Sequence, residues 1–258
     1  MLVLPIGLGL ASGTLVGFSL GLIGGGGSIL AVPLMFYLVG VPDAHVAIGT
    51  SAIAVGATAV ANLVQHARRG TVKWHCAAVF AAAGVGGAFA GSSLSKMVDG
   101  QRLLVMFALL MFVVGAAMLR RRKSAGDEAV ELSRENVPKL LLLGFFTGLL
   151  SGFFGIGGGF LIVPGLMLAT GMPILNAIGS SLVAVAAFGF TSAANYALSG
   201  FVDWQLAAIF LAGGVVGGLA GAALAKRLAD KRGALYIAFA VVIFGVAAYM
   251  LVRSVTGV

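Results

Sequence analysis

Of the 258 residues, 60% are hydrophobic and only 9% are charged, whereas soluble domains carry about 25% charged residues, so water is not the solvent for most of this surface. The formal net charge is +8, but every Lys and Arg lies between apolar segments or at a segment end, which is where membrane insertion collects cations and which argues against nucleic acid as a partner. Runs such as Ala77 to Ala90 and Leu235 to Val252 are apolar at consecutive positions, which excludes a membrane β-barrel and leaves an all-α polytopic membrane protein.

Met1 to Ser12 lacks the basic start of a secretory signal and reads as the beginning of the first mature helix. In chain order the predicted apolar segments are Gly7 to Ile23, Ser28 to Val39, Val46 to Gln65, Trp74 to Leu94 and Leu103 to Leu119. A polar linker, residues 120–139, follows. Five more segments come after it: Leu140 to Phe154, Phe160 to Ala169, Ile174 to Ala197, Gln205 to Leu224 and Ala234 to Val252. The second segment of each set is too short to span comfortably, so the first two either both cross or form a hairpin that enters and returns.

The two sets are copies of one unit. Pro33 and Pro164 match at 164 − 33 = 131, as do Gly40 with Gly171 and Pro42 with Pro173. After one dropped residue the offset is 130, pairing Gly49-Thr50-Ser51 with Gly179-Ser180-Ser181, Gln65 with Asn195, Trp74 with Trp204 and Lys96 with Lys226. The chain therefore divides into a first repeat, residues 1–119, and a second, residues 140–258. An odd number of segments per copy predicts that the copies point in opposite directions. Loop charges agree: with the 66–73 turn, the linker and the 226–232 turn on the cytoplasmic side, that side holds 13 Lys and Arg and the other keeps only Lys96, Arg102 and Arg253. The turns at Lys73 and Asp203 then lie on opposite faces and both termini lie outside a cytoplasmic (inner) membrane.

Two features suit an anion. The glycine runs, Gly24, Gly26, Gly27 and Ser28 in one copy and Gly155, Gly157, Gly158 and Gly159 in the other, fall between apolar segments. Broken helices at matched positions of inverted copies point to a midplane site, and a helix restarting there offers N–H groups and a positive dipole end. They lack the βαβ context of a dinucleotide fingerprint. The third segment carries a polar stripe: Thr58, Asn62 and Gln65 lie 7, 11 and 14 positions after Ser51, each within about 40° of it on a helix. In the second copy Ser181, Ser192 and Asn195 repeat it, with Phe188 replacing the threonine. The stripe lines a pathway or makes interhelical hydrogen bonds.

Other residues read as structural. His45, His66 and His75 fall at segment ends, and Trp74 and Trp204 fit the aromatic belt. Spaced glycines (Gly13, Gly17, Gly21; Gly87, Gly91; Gly144, Gly148, Gly152; Gly213, Gly217, Gly221) are seams for close helix packing. No acidic or basic residue falls well inside an apolar segment, which disfavours a carboxylate proton relay. With one cysteine, Cys76, and neither a metal-ligand cluster nor a nucleophile–base pair, no cofactor and no enzyme are expected.

The segments GLIGGGGSILAVPLMF and GFFGIGGGFLIVPGLML, each followed by a proline-containing turn, then GTS or GSS and a downstream G-x-V-x-W, resemble the TauE/SafE family of sulfite exporters, within the TSUP family of anion transporters. The resemblance spans nearly the whole chain and departs at Gly25, whose counterpart is Ile156. It implies export of a small sulfur-containing anion, sulfite or an organosulfonate. The glycine runs and the stripe place its expected binding site between the copies, at those runs and at Thr50, Ser51, Asn62, Gln65, Ser180, Ser181, Ser192 and Asn195. An anion channel, a carrier of another small anion, and a membrane enzyme or assembly factor are the rival readings.

Overall fold

The structure, a computed structural model, describes residues 3–120, 131–155, 159–227 and 243–253. Helix α1 (Val3–Ile23) runs into a 3-10 helix (Gly24–Leu30), a single turn α2 (Ala31–Pro33) and a π-helical turn (Leu34–Leu38). Helices α3 (Ala44–Arg68), α4 (Trp74–Ser95) and α5 (Gly100–Arg120) complete the first copy. The second contains α6 (Val137–Phe154), α7 (Gly159–Thr170), α8 (Ile174–Ala197), α9 (Trp204–Arg227) and α10 (Ile243–Arg253). Among the described residues there is no strand, and α3, α4, α6, α8 and most of α9 are long and apolar enough to cross a bilayer. Residues 121–130 of the linker and the first part of the last predicted segment lie outside the described residues.

Local chemistry fixes the helix ends. Asp43 accepts a hydrogen bond from the His45 amide at 2.7 Å and starts α3, while Asp99 accepts from the Gln101 and Arg102 amides and starts α5. Pro138 occupies the first turn of α6, where its missing N–H costs nothing. At the stops, Gly70 after α3 and Gly200 after α8 take φ of +67° and +76°, a conformation that only glycine adopts without strain.

The copies interlock. Helix α1 packs along α9 and α6 along α4, so the first helix of each copy lies on the fourth helix of the other, and α3 packs on α8. The glycine seams make these contacts possible. A Cβ on Gly13, Gly17 or Gly21 would strike the carbonyls of Phe210, Gly214 and Gly218, and one on Gly213, Gly217 or Gly221 would strike those of Leu10, Thr14 and Phe18. Gly148 and Gly152 meet Gly84 and Ala88 in the same way, and Gly87 and Gly91 meet Phe145 and Leu149. Both pairs run parallel. Helices α3 and α8 run antiparallel: Gly49 lies against Tyr196 and Phe201, and Gly56 against Gly189.

It follows that the 69–73 and 198–203 turns sit at opposite ends of the bundle, separated by α3, whose 25 residues extend ~37 Å at 1.5 Å each. Lys96 and Arg253 lie with the second turn, at what we call the Lys96 end; the other is the Lys73 end. Helix α1 starts at the Lys96 end, and the 24–38 segment that follows returns to Asp43 there.

Both glycine runs end a helix, as expected. In the first copy α1 gives way at Gly24 to a 3-10 stretch, Gly24–Leu30, that folds back on it, Gly27 pressing on Ser19 and Leu20; the i→i+3 bonds of that geometry use N–H groups that a fresh α-helix start would have left free. In the second copy Gly155, with φ of +67°, caps α6, and α7 begins at Gly159.

Candidate functional site

Helices α3 and α8 cross where Gly56 and Gly189 face each other, a Cβ on Gly189 lying only 2.9 Å from the Gly56 Cα. On either side of the crossing, matched hydroxyls reach the opposite copy. Thr50 Oγ1 accepts from the Asp203 amide at 3.0 Å, and Ser180 Oγ accepts from the Lys73 amide at 2.8 Å. Each hydroxyl thereby ties down the chain entering α9 or α4, whose first N–H groups have no intrahelical partner. Ser51 and Ser181 donate to carbonyls of their own helices, Ile48 O at 3.0 Å and Ile178 O at 2.7 Å, and Thr58 donates to Ala54 O at 2.8 Å. All five are buried.

Beyond these hydroxyls the stripe turns towards α9 in one copy and α4 in the other. Asn62 lies on Gly218 and Thr58 on Gly214, while Phe188 fills the hollow at Gly84 and stacks on Phe80 with ring centroids 6.5 Å apart. Asn195 has every polar atom engaged: Nδ2 donates to Ser92 Oγ at 2.7 Å and Ser93 Oγ at 2.9 Å. Its Oδ1 accepts from Lys96 Nζ at 2.8 Å, and its backbone carbonyl accepts from the same ammonium at 3.2 Å. Lys96 also donates to Ser199 Oγ at 2.9 Å, and Tyr196 donates to Ser95 Oγ at 2.7 Å. Helical periodicity does not disclose this network, although the recurrence of a lysine at Lys96 and Lys226 is its signal.

The counterpart of Asn195 is different. Ala222 and Ala223 stand where Ser92 and Ser93 do, and the Gln65 Nε2 is buried without a hydrogen-bond partner, as are Asn62 Nδ2 and Ser192 Oγ. Burying an unpaired polar atom costs roughly 1–3 kcal/mol, so these three are the stripe residues with capacity left for a ligand. They do not converge on one point. Asn62 and Gln65 lie beyond the α3–α8 crossing towards the Lys73 end, and Ser192 lies beyond it towards the Lys96 end.

The glycine segments do come together, the 3-10 stretch packing against α7. Ser28 is fully buried, Gly27 presses on Ser19 and Leu20 of α1, and Gly155 presses on Ile48. Gly157 and Gly158 lie outside the described residues. At the Lys96 end a cleft of about 850 Å³ is lined by residues including Tyr37, Asp43, His45, Lys96, Asp99 and Arg253. It holds none of the expected site residues but reaches the ammonium that grips Asn195. Two histidines are engaged locally, His45 Nδ1 3.5 Å from Asp43 and His66 Nδ1 3.0 Å from Thr71 Oγ1.

Comparison with known proteins matches residues 9–250 to the family described as sulfite exporter TauE/SafE. The chain is 51% identical over 246 residues to a "Probable membrane transporter protein" of Xylella fastidiosa (strain 9a5c), covering 95% of this chain and 94% of the relative. It is 27% identical over 266 residues to "Probable membrane transporter protein YunE" of Bacillus subtilis (strain 168), covering 94% and 95% respectively. No solved structure matches the chain.

Proposed function

Because the chain belongs to the TauE/SafE family and is a multi-pass membrane transporter, we propose that it carries a small sulfur-containing anion, sulfite or an organosulfonate, outward across the cytoplasmic membrane. Its two copies have inverted topology, the 66–73 turn and the linker face the cytoplasm, and both termini lie outside. Rocking of one copy against the other exposes the anion alternately to each side.

One observation carries this reading: the stripe leaves its unpaired amide and hydroxyl groups, Asn62, Gln65 and Ser192, spread to either side of an antiparallel crossing between the copies. Neutral donors bind an anion without the desolvation cost of a buried cation. The start of α7 at Gly159, packed on the 3-10 stretch, adds the positive end of a helix dipole. Thr50, Ser51, Ser180 and Ser181 are already bonded within the protein and on this reading shape the crossing. Asn195 holds the Lys96 end.

A membrane potential then drives export, because moving a monoanion out of a negative interior gains about 2.3 kcal/mol per 100 mV. Radiolabelled sulfite flux in vesicles reconstituted with the purified protein tests this. The expected result is saturable flux that accelerates when the imposed potential favours anion movement and falls about tenfold in Asn62→Ala. Flux indistinguishable from protein-free vesicles would remove the substrate assignment, and flux indifferent to potential would remove electrogenic export.

A further inference from the structure

We propose that Lys96 is an anion-responsive latch that locks the two copies together at the Lys96 end. Its ammonium, at the C-terminus of α4, has three protons and meets three oxygens, all from the second copy: Asn195 Oδ1, Asn195 O and Ser199 Oγ, at 2.8, 3.2 and 2.9 Å. They belong to the C-terminal end of α8, where the helix dipole is negative and favours a cation. The Tyr196–Ser95 bond lies beside it. The serine part of the contact has no counterpart, because at the matched place near the Lys73 end alanines replace both serines and the Gln65 amide nitrogen has no partner.

The same lysine lines the 850 Å³ cleft, so a solute can reach the lock. The carboxylates sharing the cleft are committed elsewhere, Asp43 to the His45 amide and Asp99 to the Gln101 and Arg102 amides. All three current partners of Lys96 are neutral, so an anion in the cleft offers the ammonium a Coulomb attraction that they lack. An anion entering the cleft therefore outcompetes Asn195 and Ser199 for the ammonium and releases α4 from α8. The opening follows from the geometry alone; only the choice of anion rests on the transport reading above.

Labelling reads the latch without measuring flux. In a Cys76→Ala background, Ala88→Cys places a thiol at a fully buried position of α4, one turn inside Ser92. Its reaction with a membrane-impermeant maleimide applied from the Lys96 end is followed in vesicles, with methanesulfonate as probe and gluconate at equal ionic strength as control. Lys96→Met is expected to raise the labelling rate about tenfold and Lys96→Arg to leave it within about twofold, since loss of bonds to a charged group is the larger effect. Methanesulfonate is expected to accelerate labelling of the lysine-bearing protein severalfold and to leave Lys96→Met unchanged. Should Lys96→Met not purify as a monodisperse protein, Ser199→Ala carries the test with an expected rise of about threefold. Labelling at the parent rate in the variant used, or a methanesulfonate response that persists without Lys96, overturns the latch; labelling that opens as expected while sulfite flux is absent overturns only the transport reading.

Discussion

Gln65 and Asn195 occupy matched positions on α3 and α8, yet one amide nitrogen is buried without a partner and the other sits in a network of serines and a lysine. Their stability effects should therefore diverge. Gln65→Leu removes an unpaired buried donor and is expected to hold or raise the melting temperature while lowering anion flux about tenfold or more. Asn195→Leu takes one of three acceptors from the Lys96 ammonium and the amide donor from the Ser92 and Ser93 hydroxyls, and is expected to cost about 1–3 kcal/mol in stability. Thermal unfolding in detergent beside vesicle flux separates the two; a large loss of stability in Gln65→Leu would show that its amide is bonded after all. Helical spacing alone put Thr58, Asn62 and Gln65 on one face with Ser51, because periodicity is a local property. Which stripe groups are already satisfied depends on the fold: the partners of the Asn195 side chain, Ser92, Ser93 and Lys96, lie about a hundred residues away in the chain.

At the level of helices, close approach of backbones holds the interlocked pairs. A side chain at Gly17 would strike the Gly214 carbonyl and one at Gly148 the Gly84 carbonyl, so Gly17→Val and Gly148→Val are each expected to cost about 3 kcal/mol or more, as overpacking against an unyielding neighbour does. Gly86 is the control, since a Cβ there meets nothing within 4 Å; Gly86→Ala is expected to stabilise α4 by roughly 0.8–1 kcal/mol through helix propensity. Melting of the purified variants decides, and equal effects at Gly17 and Gly86 would contradict the seam. The seams were legible because small residues every four positions mark one face of a helix. Their partners were not, since nothing in a glycine spacing says that α1 pairs with α9 and α6 with α4. Nor did composition reveal that the first glycine run folds back through a 3-10 stretch while the second ends α6 at a left-handed glycine, because the same residue permits both geometries.

For the molecule as a whole, transport by alternating access requires that the two halves be related through an axis in the membrane plane, so that opening one face closes the other. The antiparallel packing of α3 on α8 and the reciprocal Thr50–Asp203 and Ser180–Lys73 bonds support that relation, and duplicated motifs with an odd segment count made it foreseeable. The interlocking of first and fourth helices across the halves could not be foreseen, because the repeat alone fits side-by-side halves equally well. The most direct measurement is accessibility of single cysteines at Lys73→Cys and Asp203→Cys, each in a Cys76→Ala background, to an impermeant thiol reagent in intact cells and in inverted membrane vesicles. The account predicts that Asp203→Cys labels in cells and Lys73→Cys only in inverted vesicles; labelling of both from the same side would contradict it.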